Sequence, residues 1–125
     1  MSLDESLKKV KWQEFDLLKD NIGILSDLVI TSYVINELPQ EKRKDIIKKL
    51  YNSTKKLLII IEPGTPDGFK NINEARELLI NEGADIVSPC THNNKCPLKD
   101  DWCNTSVRVS RSKIHKFLKM RRIII

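Results

Sequence analysis

The chain has 125 residues, 40 % hydrophobic and 31 % charged, with only four Gly and five Pro. That is one domain's worth of foldable sequence, and it excludes collagen-like, low-complexity and disordered classes. The net charge of +5 is unevenly placed: all 17 acidic residues precede position 106, so residues 1–105 carry −2 and residues 106–125 carry +7.

The first five residues, Met-Ser-Leu-Asp-Glu, lack the pattern of a signal or transit peptide. The longest apolar run, residues 57–61, is far too short to cross a bilayer. A soluble intracellular protein with no membrane partner is expected.

Residues 10–17 read as a short strand ending near Asp16. Residues 27–35 are apolar and β-branched without alternation, the pattern of a strand buried on both faces. A helix is predicted over residues 40–52, with Ile46, Ile47, Leu50 and Tyr51 on one stripe and Pro39 in its first turn. Residues 56–62 form a second buried strand, broken by Pro63-Gly64-Thr65-Pro66. A second helix is predicted over residues 66–82. Thr65 suits its N-cap, Pro66 its first turn and Gly83 its C′ position, with Phe69, Ile72, Ala75, Leu79 and Ile80 inward. Residues 84–88 read as a third short strand, 89–103 as a loop, 106–110 as a strand and 112–120 as a helix.

Strands alternating with helices mean parallel βαβ units with right-handed crossovers. Ligands of such sheets sit at the carboxyl ends of the strands. Asp16, residues 33–39, Glu62-Pro63-Gly64-Thr65 and Cys90 all fall at that edge in this reading.

Cys90, Cys96 and Cys103 lie in one polar loop, with five and six residues between them. An odd number of cysteines without a secretion signal argues against disulfides. Thiolates this close suit a soft metal centre, an iron–sulfur cluster or zinc. A closed site takes four ligands. His92, two residues after Cys90, is the one candidate to complete a zinc site, and Lys95 favours a thiolate at Cys96. The other reading is three unconnected thiols.

Glu37, after the strand at 27–35, is either a general base or ribose contact, or an acid favouring a helix N-terminus. No Gly-x-Gly-x-x-Gly or P-loop is present. Arg108, Arg111, Lys113, Lys116, Lys119, Arg121 and Arg122 make the tail either a nucleic-acid footprint or a solvated face. His115, among them, reads as solvated.

Three runs together resemble one family. They are Ser-Asp-Leu-Val-Ile-Thr-Ser-Tyr-Val-Ile-Asn-Glu-Leu-Pro at 26–39, Leu-Ile-Ile-Ile-Glu-Pro-Gly-Thr-Pro-Asp-Gly-Phe at 58–69, and the stretch from Pro89-Cys-Thr-His through Cys96-Pro-Leu and Asp101-Trp-Cys103 to Ser112. The chain, over about residues 10–120, resembles the methyltransferase-like proteins of the small ribosomal subunit. The mitochondrial members of that family assist ribosome assembly, and the bacterial ones are named rRNA methyltransferases.

The resemblance implies an α/β, Rossmann-like class I methyltransferase fold, here partial, from the third strand onward, as a single domain with a Cys-rich loop at 89–104 and a basic tail at 106–125. It implies S-adenosylmethionine as the family cofactor. Asp16 would lie near the adenine, and the segment 33–38, with Tyr33, Asn36 and Glu37, would line the cleft. Cys90, Cys96 and Cys103 would be three ligands of a [4Fe–4S] cluster, with zinc as the alternative. The expected partners are the small ribosomal subunit and its rRNA, contacted by Arg108, Arg111, Lys113, Lys116 and Lys119. The setting would be the cytoplasm in a bacterium or the mitochondrion in a eukaryote.

Against the family pattern, the first two strands, the Gly-rich loop and a fourth cysteine are missing, so a fragment is expected, inactive as a methyltransferase by itself. In the family the missing strands separate the third strand from the fourth. Without them, the strand at 27–35 is left as an open apolar edge. That edge is expected to be met by a complementing N-terminal polypeptide, by a second copy, or by the strand at 10–17.

Overall fold

In a computed structural model, described over residues 8–104, two strands and two helices follow one another as β-α-β-α. Strand β1 is Ser26–Ser32 and strand β2 is Thr54–Ile61. They pair in parallel, with Val29 opposite Leu58, Ile30 opposite Ile59 and Thr31 opposite Ile60. The predicted βαβ unit is therefore present.

β1 stops three residues before its predicted end. Tyr33 adopts a left-handed φ of 57°, which takes the chain out of the sheet, although its N–H still donates to the Ile61 carbonyl at 2.9 Å. A 3-10 turn, Ile35–Glu37, follows and buries Ile35 to 1 % exposure.

Helix α1 is Gln40–Asn52. Pro39 stands just before it in an extended conformation, φ −54° and ψ 136°, rather than within its first turn. Helix α2 is Pro66–Asn81. Its start is fixed as the sequence suggests: the Thr65 side chain accepts the Gly68 N–H at 3.1 Å, and Pro66 opens the helix. Gly83 follows the C-cap with φ +93°.

Both helices lie on one face of the sheet. Ile35, Ile47, Ala75 and Leu79 form the core, packed by Tyr51, Leu58, Ile60, Leu78 and Ala84. Lys48 of α1 pairs with Glu82 at the end of α2, 2.6 Å away, and that hydrogen bond raises the lysine pKa above its ordinary value. Gly68 is required by close packing: a Cβ there would sit 1.9 Å from the Pro63 carbonyl oxygen.

The other sheet face carries Leu28, Ile30, Leu57, Ile59 and Ile61, by strand alternation. Four of these are 41–57 % exposed, so the strands predicted to be buried on both faces are covered on one. The apolar character of both faces is as read; the covering layer is absent among the described residues.

Two further predicted strands are not strands. Residues 10–17 are irregular, and Trp12 is 85 % exposed. The Asp16 carboxylate accepts the Leu18 N–H at 2.9 Å, and its backbone carbonyl accepts the Lys19 and Asp20 N–H groups. This local turn takes the hydrogen bonds a ladder would need. Residues 84–88 are also irregular. There the Ala84 N–H donates to the Leu79 carbonyl and the Ile86 N–H to Asn93 Oδ1, leaving no ladder to a sheet neighbour. The sheet thus has two strands among the described residues, and β1 pairs with β2 rather than with residues 10–17. The predicted strand at 106–110, the helix at 112–120 and the basic tail lie outside the described residues. No helix among the described residues is long and apolar enough to cross a membrane.

Candidate functional site

Parallel pairing brings the chain after β1 and the chain after β2 to one edge, as βαβ geometry requires. Glu62, the first residue beyond β2, joins the two. Its Oε1 accepts the Ile35 N–H at 3.0 Å and so caps the turn that carries Asn36 and Glu37. Its Oε2 is buried without a hydrogen-bond partner among the described residues. Arg43 of α1 holds the same turn from the other side. Nε donates to the Leu38 carbonyl at 3.0 Å and Nη1 to the buried Asn71 Oδ1 at 2.8 Å. Asn36 and Glu37 stand exposed on this braced turn, beside the half-exposed Tyr33.

Asp16 is placed elsewhere. The turn it starts is tied to α1 through Lys49 Nζ, which donates to the Asp20 carbonyl at 3.2 Å near the helix's last turn. That is the end of α1 that feeds the amino end of β2, opposite the edge bearing Tyr33, Asn36 and Glu37. The Leu18 N–H, and then Lys19, hold the Asp16 carboxyl below its ordinary pKa. This suits a turn-forming carboxylate. The structure brings Tyr33, Asn36 and Glu37 together and leaves Asp16 apart.

A cavity of about 350 Å³ opens between the end of β2, one side of α2 and the cysteine loop. Ile60, Ile61, Phe69 and Ile72 give it apolar walls, and Cys90, Cys96 and Cys103 all line it, with His92 and Arg76. Cys96 is half-buried; Cys90 and Cys103 are exposed, and all three are free thiols. The residues of the cleft, Tyr33, Asn36 and Glu37, are not among its walls.

The loop is fastened at several points. Arg76 of α2 donates from Nη2 to the His92 and Asn94 carbonyls, at 2.6 and 2.8 Å. Asn93 bridges to Asp85 at 2.9 Å. Trp102 donates from Nε1 to the Gly64 carbonyl at 3.3 Å. Sequence reading passed over Arg43, Arg76 and Trp102. Each bonds a group distant in sequence, Arg43 the Asn71 side chain and Arg76 and Trp102 backbone carbonyls, and no spacing pattern announces such a bond.

Among the described residues, no three His, Cys, Asp or Glu side chains converge closely enough to hold one metal ion. His92 is also committed elsewhere, since its Nδ1 accepts the Asn94 N–H at 3.1 Å. For Nε2 to bind a metal in a neutral ring, the proton would move to Nδ1 and that bond would break. The donor set therefore does not fit a single zinc ion with His92 as fourth ligand. Cys90, Cys96 and Cys103 nevertheless share the lining of one cavity.

The profile of the family described as "Mitochondrial small ribosomal subunit Rsm22" matches residues 2–124. Among curated relatives, the human "Ribosome assembly protein METTL17, mitochondrial" is 27 % identical over 57 % of this chain and 18 % of its own length. "Rsm22-cox11 tandem protein 2, mitochondrial" of Schizosaccharomyces pombe is 33 % identical over 73 % of this chain and 14 % of its own, and tandem protein 1 of the same yeast matches to the same extent. The chain thus matches less than a fifth of the length of these relatives. No solved structure matches it.

Proposed function

Because the chain belongs to the Rsm22 family of the mitochondrial small ribosomal subunit, we propose that it serves in an assembly factor of that subunit. In this reading it binds rRNA through its basic C-terminal segment and holds a [4Fe–4S] cluster in its cysteine loop. The observation that carries the reading is that all three cysteines line one cavity, in a chain matched to the family over nearly its whole length. The setting is the mitochondrion in a eukaryotic host and the cytoplasm in a bacterial one.

Cys90, Cys96 and Cys103 are the residues that would hold the cluster, with a fourth ligand from outside the described residues. Bound there, the cluster would act as a structural cross-link, closing the loop on the edge of the β-α-β-α unit. Arg108, Arg111, Lys113, Lys116 and Lys119 supply cations for RNA phosphates, a recognition that gives affinity and position rather than sequence choice. S-adenosylmethionine is the cofactor of the methyltransferase-like class. The cavity gathers none of Asp16, Tyr33, Asn36 and Glu37. The uncovered sheet face and the free edge of β1 are the seat for a complementing polypeptide or a second copy.

The test of rRNA binding is a salt titration with single-stranded segments of small-subunit rRNA. Five neutralised phosphates give a slope of log affinity against log salt of about −3 to −4. Replacing Arg108, Arg111 and Lys113 by Ala should flatten that slope by about 2. Salt-independent binding, or a slope unmoved by the three substitutions, contradicts the assignment.

A further inference from the structure

One of the points that fasten the cysteine loop is a residue outside it, Arg76. We propose that Arg76 is the positioning residue of the cysteine cavity: its guanidinium gathers the loop so that Cys90 and Cys96 face the same space, and it supplies positive charge to what the thiolates hold. This rests on the iron–sulfur reading above.

Three observations carry it. The His92 and Asn94 carbonyls, both bonded by Arg76 Nη2, lie between Cys90 and Cys96, so one nitrogen fixes the backbone that spans the two thiols. Charge-assisted bonds of this length are among the stronger ones available to a loop. Arg76 itself lines the cavity with all three cysteines. Its helix is rigid at the same level, because Ala75 is a core residue at 1 % exposure. The loop is thus referred to the best-packed part of the molecule.

The Nε and Nη1 donors take no part in the pair of carbonyl bonds. Among the described residues, they donate no hydrogen bond. A thiolate-bound iron–sulfide cluster is anionic, and a guanidinium at its margin stabilises the reduced, more negative form. Lysine keeps the charge but has no planar fork; methionine keeps the bulk and loses both charge and donors.

The experiment compares the full chain with R76K and R76M in two arms. In the first, the metal-free proteins are followed by amide hydrogen exchange. In R76M, peptides covering 86–97 should exchange at least tenfold faster, while peptides of β2 and α2 keep their rates. R76K should fall between. In the second, the chains are reconstituted anaerobically with ferrous iron and sulfide. R76M should retain less than half the iron and sulfide of the parent, and its centre should titrate at lower potential, with R76K restoring the potential. Unchanged exchange over 86–97 in R76M overturns the positioning role. Equal iron content and equal potential in R76M overturn the role toward the cluster. If the parent chain itself takes up no iron and sulfide, the iron–sulfur reading fails, and the exchange arm alone still decides whether Arg76 shapes the loop.

Discussion

Glu62 shows how much one side chain at a strand end can organise. One oxygen caps the Ile35 N–H, the other is buried without a partner, and the same residue lines the cysteine cavity. A buried N–H stripped of its acceptor costs about 1–3 kcal/mol. Glu62→Ala should therefore lower stability by about that amount, measured by urea denaturation. Glu62→Gln keeps an acceptor for the Ile35 N–H, so it should cost less than about 1 kcal/mol. Equal losses in the two variants would show that the carboxylate does not hold the turn. Tyr33 illustrates the same economy of position. It leaves the sheet in a left-handed conformation that a bulky residue rarely adopts, and such strain gathers at sites that bind.

At the scale of elements, local chemistry announced both helices and both strands of the sheet. Thr65, Pro66 and Gly83 mark the two ends of α2 by capping and backbone rules that act within a few residues, and the structure keeps all three. The parallel order of β1 and β2 followed from a helix lying between two apolar runs. Residues 10–17 and 84–88 misled because strand character needs a neighbour. Asp16 and Asn93 instead offered their backbones nearer hydrogen-bond partners. Of the candidate site, the structure adds to the spacing of the cysteines the one cavity that all three line. The fastening of their loop by Arg76 and Trp102 was not legible, because those bonds join α2 and the β2–α2 turn to a loop 16 to 38 residues away. The tightest packing in α2 makes its own prediction. Gly68→Ala forces a methyl group onto the Pro63 carbonyl, so it should destabilise by about 1–3 kcal/mol or more, read as a fall in the urea midpoint. A variant as stable as the parent would contradict the packing at the β2–α2 turn.

At the scale of the molecule, the parallel sheet carries one apolar face that no other described residues cover. The chain matches less than a fifth of each relative named above. Alone in solution, the protein should self-associate as its concentration rises, followed by sedimentation velocity. Ile30→Lys, at a position 57 % exposed, should shift the population toward monomer without unfolding it. A parent chain that stays monomeric at high concentration would show that the bare face seeks no partner. The charge distribution, −2 over residues 1–105 and +7 over residues 106–125, puts the excess of cations in one segment of the chain.

The most direct measurement of the central claim is density-gradient sedimentation of the tagged full chain with ribosomal particles from its own host. The account predicts that the chain travels with small-subunit particles, enriched on immature ones, and is released by high salt. A chain that stays with free proteins at low salt, or spreads equally over small and large subunits, would contradict it.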